Sequence, residues 1–122
     1  MNNLLNGIKI FISRYWIACT LLILTAITLL SLYPAEHLPE VPGTDKTHHF
    51  IAYAVLIFPL ALARPKFWPV YGLMLLGWSG MIELLQPYVN RYGEWLDLLA
   101  NAIGLICGIL LAQVFSWVTK IK

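Results

Sequence analysis

The sequence predicts an all-α protein, a four-transmembrane-helix antiparallel bundle, on three observations. First, 60% of the 122 residues are hydrophobic and 11% charged, with a mean hydropathy of +0.75. A soluble domain of this size has too little interior to hide that much apolar surface. Second, the apolar residues fall into runs near the ~20 residues that a bilayer-crossing helix needs. Third, the connections between the last three runs are short, which makes those helices antiparallel neighbours.

Residues 1–14 read as a cytoplasmic amphipathic segment carrying Lys9 and Arg14. Residues 15–119 form the membrane domain. Its first span, 15–33, follows positive charge as a signal peptide would. It exceeds the usual apolar region of about 7–15 residues, and no Ala-x-Ala-like site follows, so the segment is expected to be retained. A polar loop, 34–44, holds Glu36, His37 and Glu40, and Thr44 or Asp45 can cap the next helix. The second span is 46–63, with a kink expected at Pro59 because that residue lacks a backbone donor. Arg64-Pro65-Lys66 forms a tight turn. The third span, 67–86, tolerates Pro69 in its first turn and is closed by Pro87. A loop with Arg91, Gly93 and Glu94 precedes the fourth span, 97–118, and residues 120–122 form a cytoplasmic tail.

Charge sets the expected orientation. With the N-terminus in the cytoplasm, Lys9, Arg14, Arg64, Lys66, Lys120 and Lys122 lie inside, and only Lys46 and Arg91 of the eight basic residues lie outside. The positive-inside rule selects that arrangement, with both termini cytoplasmic in the inner membrane. No basic stripe suits nucleic acid. Cys19 and Cys107 sit inside apolar runs as small hydrophobes and form no Cys-x-x-Cys motif.

The chemistry centres on Glu83, which falls about one turn before the end of an apolar run. A charge at such depth costs about 2.5–3.5 kcal/mol on insertion scales, so it needs a partner, a proton or a use. The topology brings the start of the second span, the end of the third and the start of the fourth to one outer end. Asp45, His49 and Tyr53 follow at i,i+4, Glu83 and Gln86 at i,i+3, and Asp97 and Asn101 at i,i+4, so each set shares a helix face. Below Asn101 that face continues through Gly104 and Gly108, whose spacing suits close helix packing. The expected ligand-binding set is therefore Asp45, Lys46, His49, Tyr53, Glu83, Gln86, Arg91, Asp97 and Asn101. Two helix N-termini at this end, with Lys46 and Arg91, favour an anion.

These residues, in the order Asp45-Lys46-x-x-His49-Phe50-x-x-Tyr53, Glu83-x-x-Gln86, Arg91 and Asp97-x-x-x-Asn101-x-x-Gly104, resemble the VanZ-like family of small bacterial membrane proteins. The resemblance runs from about Asp45 to Gly108. It implies a cell-envelope setting and, through the family's namesake, a link to glycopeptide (teicoplanin) resistance, but it names no reaction. Between Arg91 and Asp97 the chain reads Tyr92-Gly93-Glu94-Trp95-Leu96, where members of the family often carry another small or acidic residue, and no role is transferred to Glu94.

Three functional readings follow. In the first, the outer pocket binds the head group of an anionic membrane lipid or lipid-linked envelope precursor. In the second, His49 acts as general acid or base, oriented by Glu83 or Asp97, which makes these three the catalytic candidates. No Gly-x-Ser-x-Gly nucleophile supports it, and Ser79 has no base in sequence view. In the third, the polar groups only hold helices in register, contributing about 0.6 kcal/mol each on average. No cofactor is expected. No metal is expected either, since His48 and His49 diverge by about 100° around the helix and no His-x-x-x-His or Glu-x-x-His spacing occurs; His48 is expected to face the interface. A permeation path is disfavoured because the inner halves of the spans are apolar. Four short helices enclose little volume, and a homodimer could complete the pocket.

Overall fold

The computed structural model describes residues 2–32, 45–89 and 95–120. Among them the regular elements are all helical: α1 (Asn2–Arg14), α2 (Trp16–Leu32), α3 (Asp45–Ala63), α4 (Trp68–Leu85), a 3₁₀ turn (Gln86–Val89) and α5 (Trp95–Lys120). The all-α class is met. The loop 34–44, the cap at Thr44, the Arg91-bearing stretch and the last two residues of the tail lie outside the described residues.

α1 and α2 are separate helices that meet at 76°. The backbone bonds nevertheless run through the corner, from Tyr15 N–H to the Phe11 carbonyl at 3.1 Å and from Cys19 N–H to the Tyr15 carbonyl at 2.9 Å. Aromatic packing of Phe11 on Tyr15 and the Arg14 guanidinium over the Tyr15 ring line this corner. α3 runs through Pro59 without a break. It ends at Arg64, whose positive φ of 50° is the left-handed turn that closes a helix. That conformation costs a non-glycine residue about 1–2 kcal/mol. The guanidinium is engaged on both sides, hydrogen-bonding Gln113 of α5 and lying 5.4 Å from the Trp68 ring.

Contacts along the helices give their directions. His49 meets Asn101 at one end of the pair α3 and α5, and Arg64 meets Gln113 at the other, so these two helices run parallel. Trp16 stacks on Tyr71, Trp78 N–H donates to Thr28, and Gln86 donates to the Ser31 carbonyl, so α2 runs alongside α4 in the same sense. Consecutive helices from α2 to α5 therefore alternate in direction. The core is centred on α3, with Tyr53, Leu56, Ile57 and Leu60 at 2% exposure or less, closed by Leu75, Leu105 and Ala112 and flanked by Ile23, Leu24 and Ile27 of α2.

α3 and α5 approach closest where α5 has no side chain. A Cβ on Gly104 would overlap the Phe50 carbonyl, and one on Gly108 would overlap the Ala54 carbonyl and the Ile57 methyl. The obstacle is backbone, which cannot swing aside as a flexible side chain can.

Length and composition do not by themselves make every helix a span. Among the described residues only α5 is by itself long and apolar enough to cross a membrane, with 24 residues at a hydropathy of 2.2 over Leu96–Thr119; α1 and α2 pass only as a bent pair. α2 has 17 residues, and α4 is diluted by Pro69, Trp78, Ser79, three glycines and Glu83.

Gly108→Ala should lower unfolding stability in detergent by about 1–3 kcal/mol, the range for overpacking a close-packed site. Gly77, which has nothing within 4 Å of its would-be Cβ, supplies the opposite sign. Gly77→Ala should leave the midpoint unchanged or raise it, because Ala is favoured over Gly in a helix by up to about 1 kcal/mol. Thermal or denaturant melts of the two variants check both.

Candidate functional site

Three helices converge on one polar cluster. α3 contributes His49 and Tyr53, α4 contributes Ser79 and Glu83, the 3₁₀ turn that follows α4 contributes Gln86, and α5 contributes Asp97 and Asn101. The close contact of α3 with α5 levels His49 with Asn101, and the reversed direction of α4 brings its last turns to the same end. One ligand-type atom each from His49, Glu83 and Asp97 lies within 4.8 Å of the other two. Asp97 is 4% exposed, Asn101 1%, Gln86 2%, Tyr53 2% and Ser79 0%, while the His49 and Glu83 side chains keep 13 and 9% of their surface open.

Its best-defined chain starts at the imidazole. His49 Nδ1 lies 2.9 Å from Asn101 Oδ1. A carboxamide oxygen only accepts, so Nδ1 carries the proton and donates. The Asn101 amide nitrogen donates in turn to Ser79 Oγ, whose hydroxyl also engages the Tyr53 phenol. Both ends of the Asn101 amide are thereby used, which fixes its orientation and, through it, the His49 tautomer. Nε2 is left with its lone pair, or with a second proton if the ring is charged.

Glu83 Oε2 stands 3.9 Å from His49 Nδ1, an electrostatic contact longer than a hydrogen bond. The group hydrogen-bonded to Nδ1 is therefore Asn101, where the sequence suggests a carboxylate. The two carboxylates set the electrostatics. Two like unit charges 4.8 Å apart repel by about 3.5 kcal/mol at an effective dielectric near 20. That exceeds the roughly 0.6 kcal/mol that an interhelical polar contact typically returns. A cluster kept only to hold helices in register would be poorly served by two ionised carboxylates; a proton on one of them or positive charge beside the pair offsets the repulsion.

The remaining expected residues divide. Gln86 ties α4 to α2 through the Ser31 carbonyl at 3.1 Å, and its Oε1 has no hydrogen-bond partner among the described residues. Asp45 begins α3 with Lys46 beside it, but the side chains of both, and all of Arg91, lie outside the described residues. His48 is half-buried, and Gly104 and Gly108 lie on the buried face of α5 below Asn101. Ser79 is the residue that sequence reasoning passed over. It is one helical turn before Glu83 at i,i+4, so the face that carries Glu83 already carried it.

The fold and this cluster define an all-helical protein with a polar site buried among apolar helices, one of them long enough to span a membrane. Residues 9–116 match the VanZ/LLP1 family model, and the chain belongs to that membrane-associated family. No curated protein and no solved structure matches the chain.

Asn101→Ala should release the imidazole. Nitrogen-15 NMR of selectively labelled histidine should show Nδ1 protonated in the neutral wild-type ring and a mixed tautomer in the variant. The same change should destabilise the fold by about 1–3 kcal/mol, the cost of leaving buried partners unsatisfied.

Proposed function

We propose that this chain is a four-span protein of the bacterial inner membrane whose outward-facing polar site receives the head group of an anionic lipid or a lipid-linked envelope precursor. The observation that carries the reading is the convergence of His49, Glu83 and Asp97, one from each of three helices, at one end of an apolar body. The flanks support a lipid surround. Leu22, Leu29, Leu73, Leu84 and Leu110 are exposed by 73, 66, 68, 75 and 59%, and they belong to α2, α4 and α5. α2 and α4 are near the lower limit of about 17 residues for a crossing and pack alongside α3, as does the longer α5, so they share the depth of the long helix.

Orientation follows from the opposite end. Trp16 beside Tyr71, and Arg64 beside Gln113, gather Arg14, Arg64 and Lys66 about 22 Å along α3 from His49, taking 1.5 Å of rise per residue. Basic charge at that end supports a cytoplasmic side there and an outward-facing cluster. Lys46 and Arg91 supply the cationic contacts to the head group, and Asn101 and Gln86 the hydrogen-bonding ones. The family's link to glycopeptide resistance adds an envelope setting without a reaction.

A second reading rests on the His49 tautomer. With Nδ1 held by Asn101, Nε2 is the atom that could take or deliver a proton, and His49 would act as an acid–base group with Glu83 and Asp97 stabilising its charged form.

Purification in mild detergent, followed by mass spectrometry of retained lipids and melts with added anionic lipids, tests the binding reading. Wild type should retain and be stabilised by an anionic species, and Lys46→Ala should lose at least tenfold in retention. Matching profiles for the two proteins would remove the idea. For the acid–base reading, His49→Ala and Glu83→Gln should each fail to complement a deletion of the gene; full complementation by both would end it.

A further inference from the structure

We propose that His49, Glu83 and Asp97 form a binding site for one divalent cation of borderline character, of the Mn²⁺ or Zn²⁺ class. The donor set is one imidazole nitrogen and two carboxylate oxygens, drawn from α3, α4 and α5, with the three atoms within 4.8 Å of one another. Such N/O donors suit these ions, and three protein ligands leave a coordination position open. At metal–ligand distances of about 2.1 Å, tetrahedral ligand atoms stand roughly 3.4 Å apart. Ligation requires the two carboxylates to turn toward the ion by the difference.

Asn101 prepares the site. A metal-ligating histidine generally donates its other ring N–H to an oxygen, which sets the tautomer and the ring plane. Here Nδ1–H already donates to Asn101 Oδ1 at 2.9 Å, and Ser79 anchors Asn101 in turn. That hydrogen bond leaves Nε2 to an ion, and Nδ1, 3.9 Å from Glu83 Oε2, sets the ring at the edge of the carboxylates. The charge count agrees, because a divalent cation with two carboxylates and a neutral imidazole is electroneutral, which suits a buried position. One turn beyond Glu83, Gln86 Oε1, which has no hydrogen-bond partner among the described residues, could accept from a water on the open position.

Sequence spacing within any single helix could not disclose this set, because each helix contributes one ligand. The site also bears on the lipid reading without depending on it. A phosphate head group meets repulsion from two carboxylates but attraction from a cation seated between them.

The test uses the full chain in detergent without added lipid, stripped with a chelator and titrated with Mn²⁺ by electron paramagnetic resonance and with Zn²⁺ by elemental analysis after desalting. Wild type should hold about one ion per chain, as the single three-ligand site requires. His49→Ala, Glu83→Gln and Asp97→Asn should each raise Kd at least tenfold. Asn101→Ala, which touches no ion, should raise it about 10–100-fold, the usual effect of losing the group behind a histidine ligand. Wild type that retains neither ion, or ligand variants that bind like wild type, would overturn the proposal. If the variants fail to fold, electron spin echo of Mn²⁺-loaded wild type decides: coupling to an imidazole nitrogen supports the site, and its absence overturns it. Loss of lipid retention with metal binding intact would count against the head-group reading alone.

Discussion

The close approach of α3 and α5 is the constraint on which the rest of the molecule depends. Two parallel helices with ordinary side chains between them would stand farther apart. Here the Phe50 and Ala54 carbonyls occupy the space where Gly104 and Gly108 lack a Cβ. Lipid tails provide no hydrophobic drive for one helix to bury against another, so association inside a bilayer relies on such contact. The geometry propagates upward. One turn above Gly104 sits Asn101, level with His49, and one turn higher sits Asp97, which joins Glu83 of the antiparallel α4.

Polar groups in this body serve two purposes that the distances separate. Some tie helix to helix, as with Trp78 to Thr28, Gln86 to Ser31 and Arg64 to Gln113. The His49, Glu83 and Asp97 group is different in kind, because two carboxylates at close range add repulsion that a neutral amide would avoid. A structural role is better filled by Asn101 and Ser79, which are present beside them.

The two ends of the molecule are chemically opposite, and that asymmetry relates the fold to a membrane. At the end of α1, Arg14 and the Trp16–Tyr71 stack lie near the Arg64 turn, a mixture of cations and aromatic rings suited to an interface. At the other end the polar cluster is enclosed by α3, α4 and α5. The flanks between are leucine-rich and exposed, so the apolar belt and the buried polar site belong to one arrangement.

Much of this was legible in one dimension. Composition and run length predicted helices over 15–33, 46–63, 67–86 and 97–118, and the structure has helices over 16–32, 45–63, 68–85 and 95–120. The i,i+4 spacing placed Asp97 and Asn101 on one face, because helical period is a local property of the chain, and both are buried. The sharp corner at Tyr15, the unequal capacity of the helices to span a membrane and the role of Ser79 were not so readable. By itself the sequence determined which residues share a helix face and which end of each helix carries polarity. Only the tertiary structure decided that Asn101 holds the His49 ring and that polar atoms of His49, Glu83 and Asp97, one from each of three helices, come within 4.8 Å of one another, since distances between helices are set by packing, to which Gly104 and Gly108 contribute an absence of atoms.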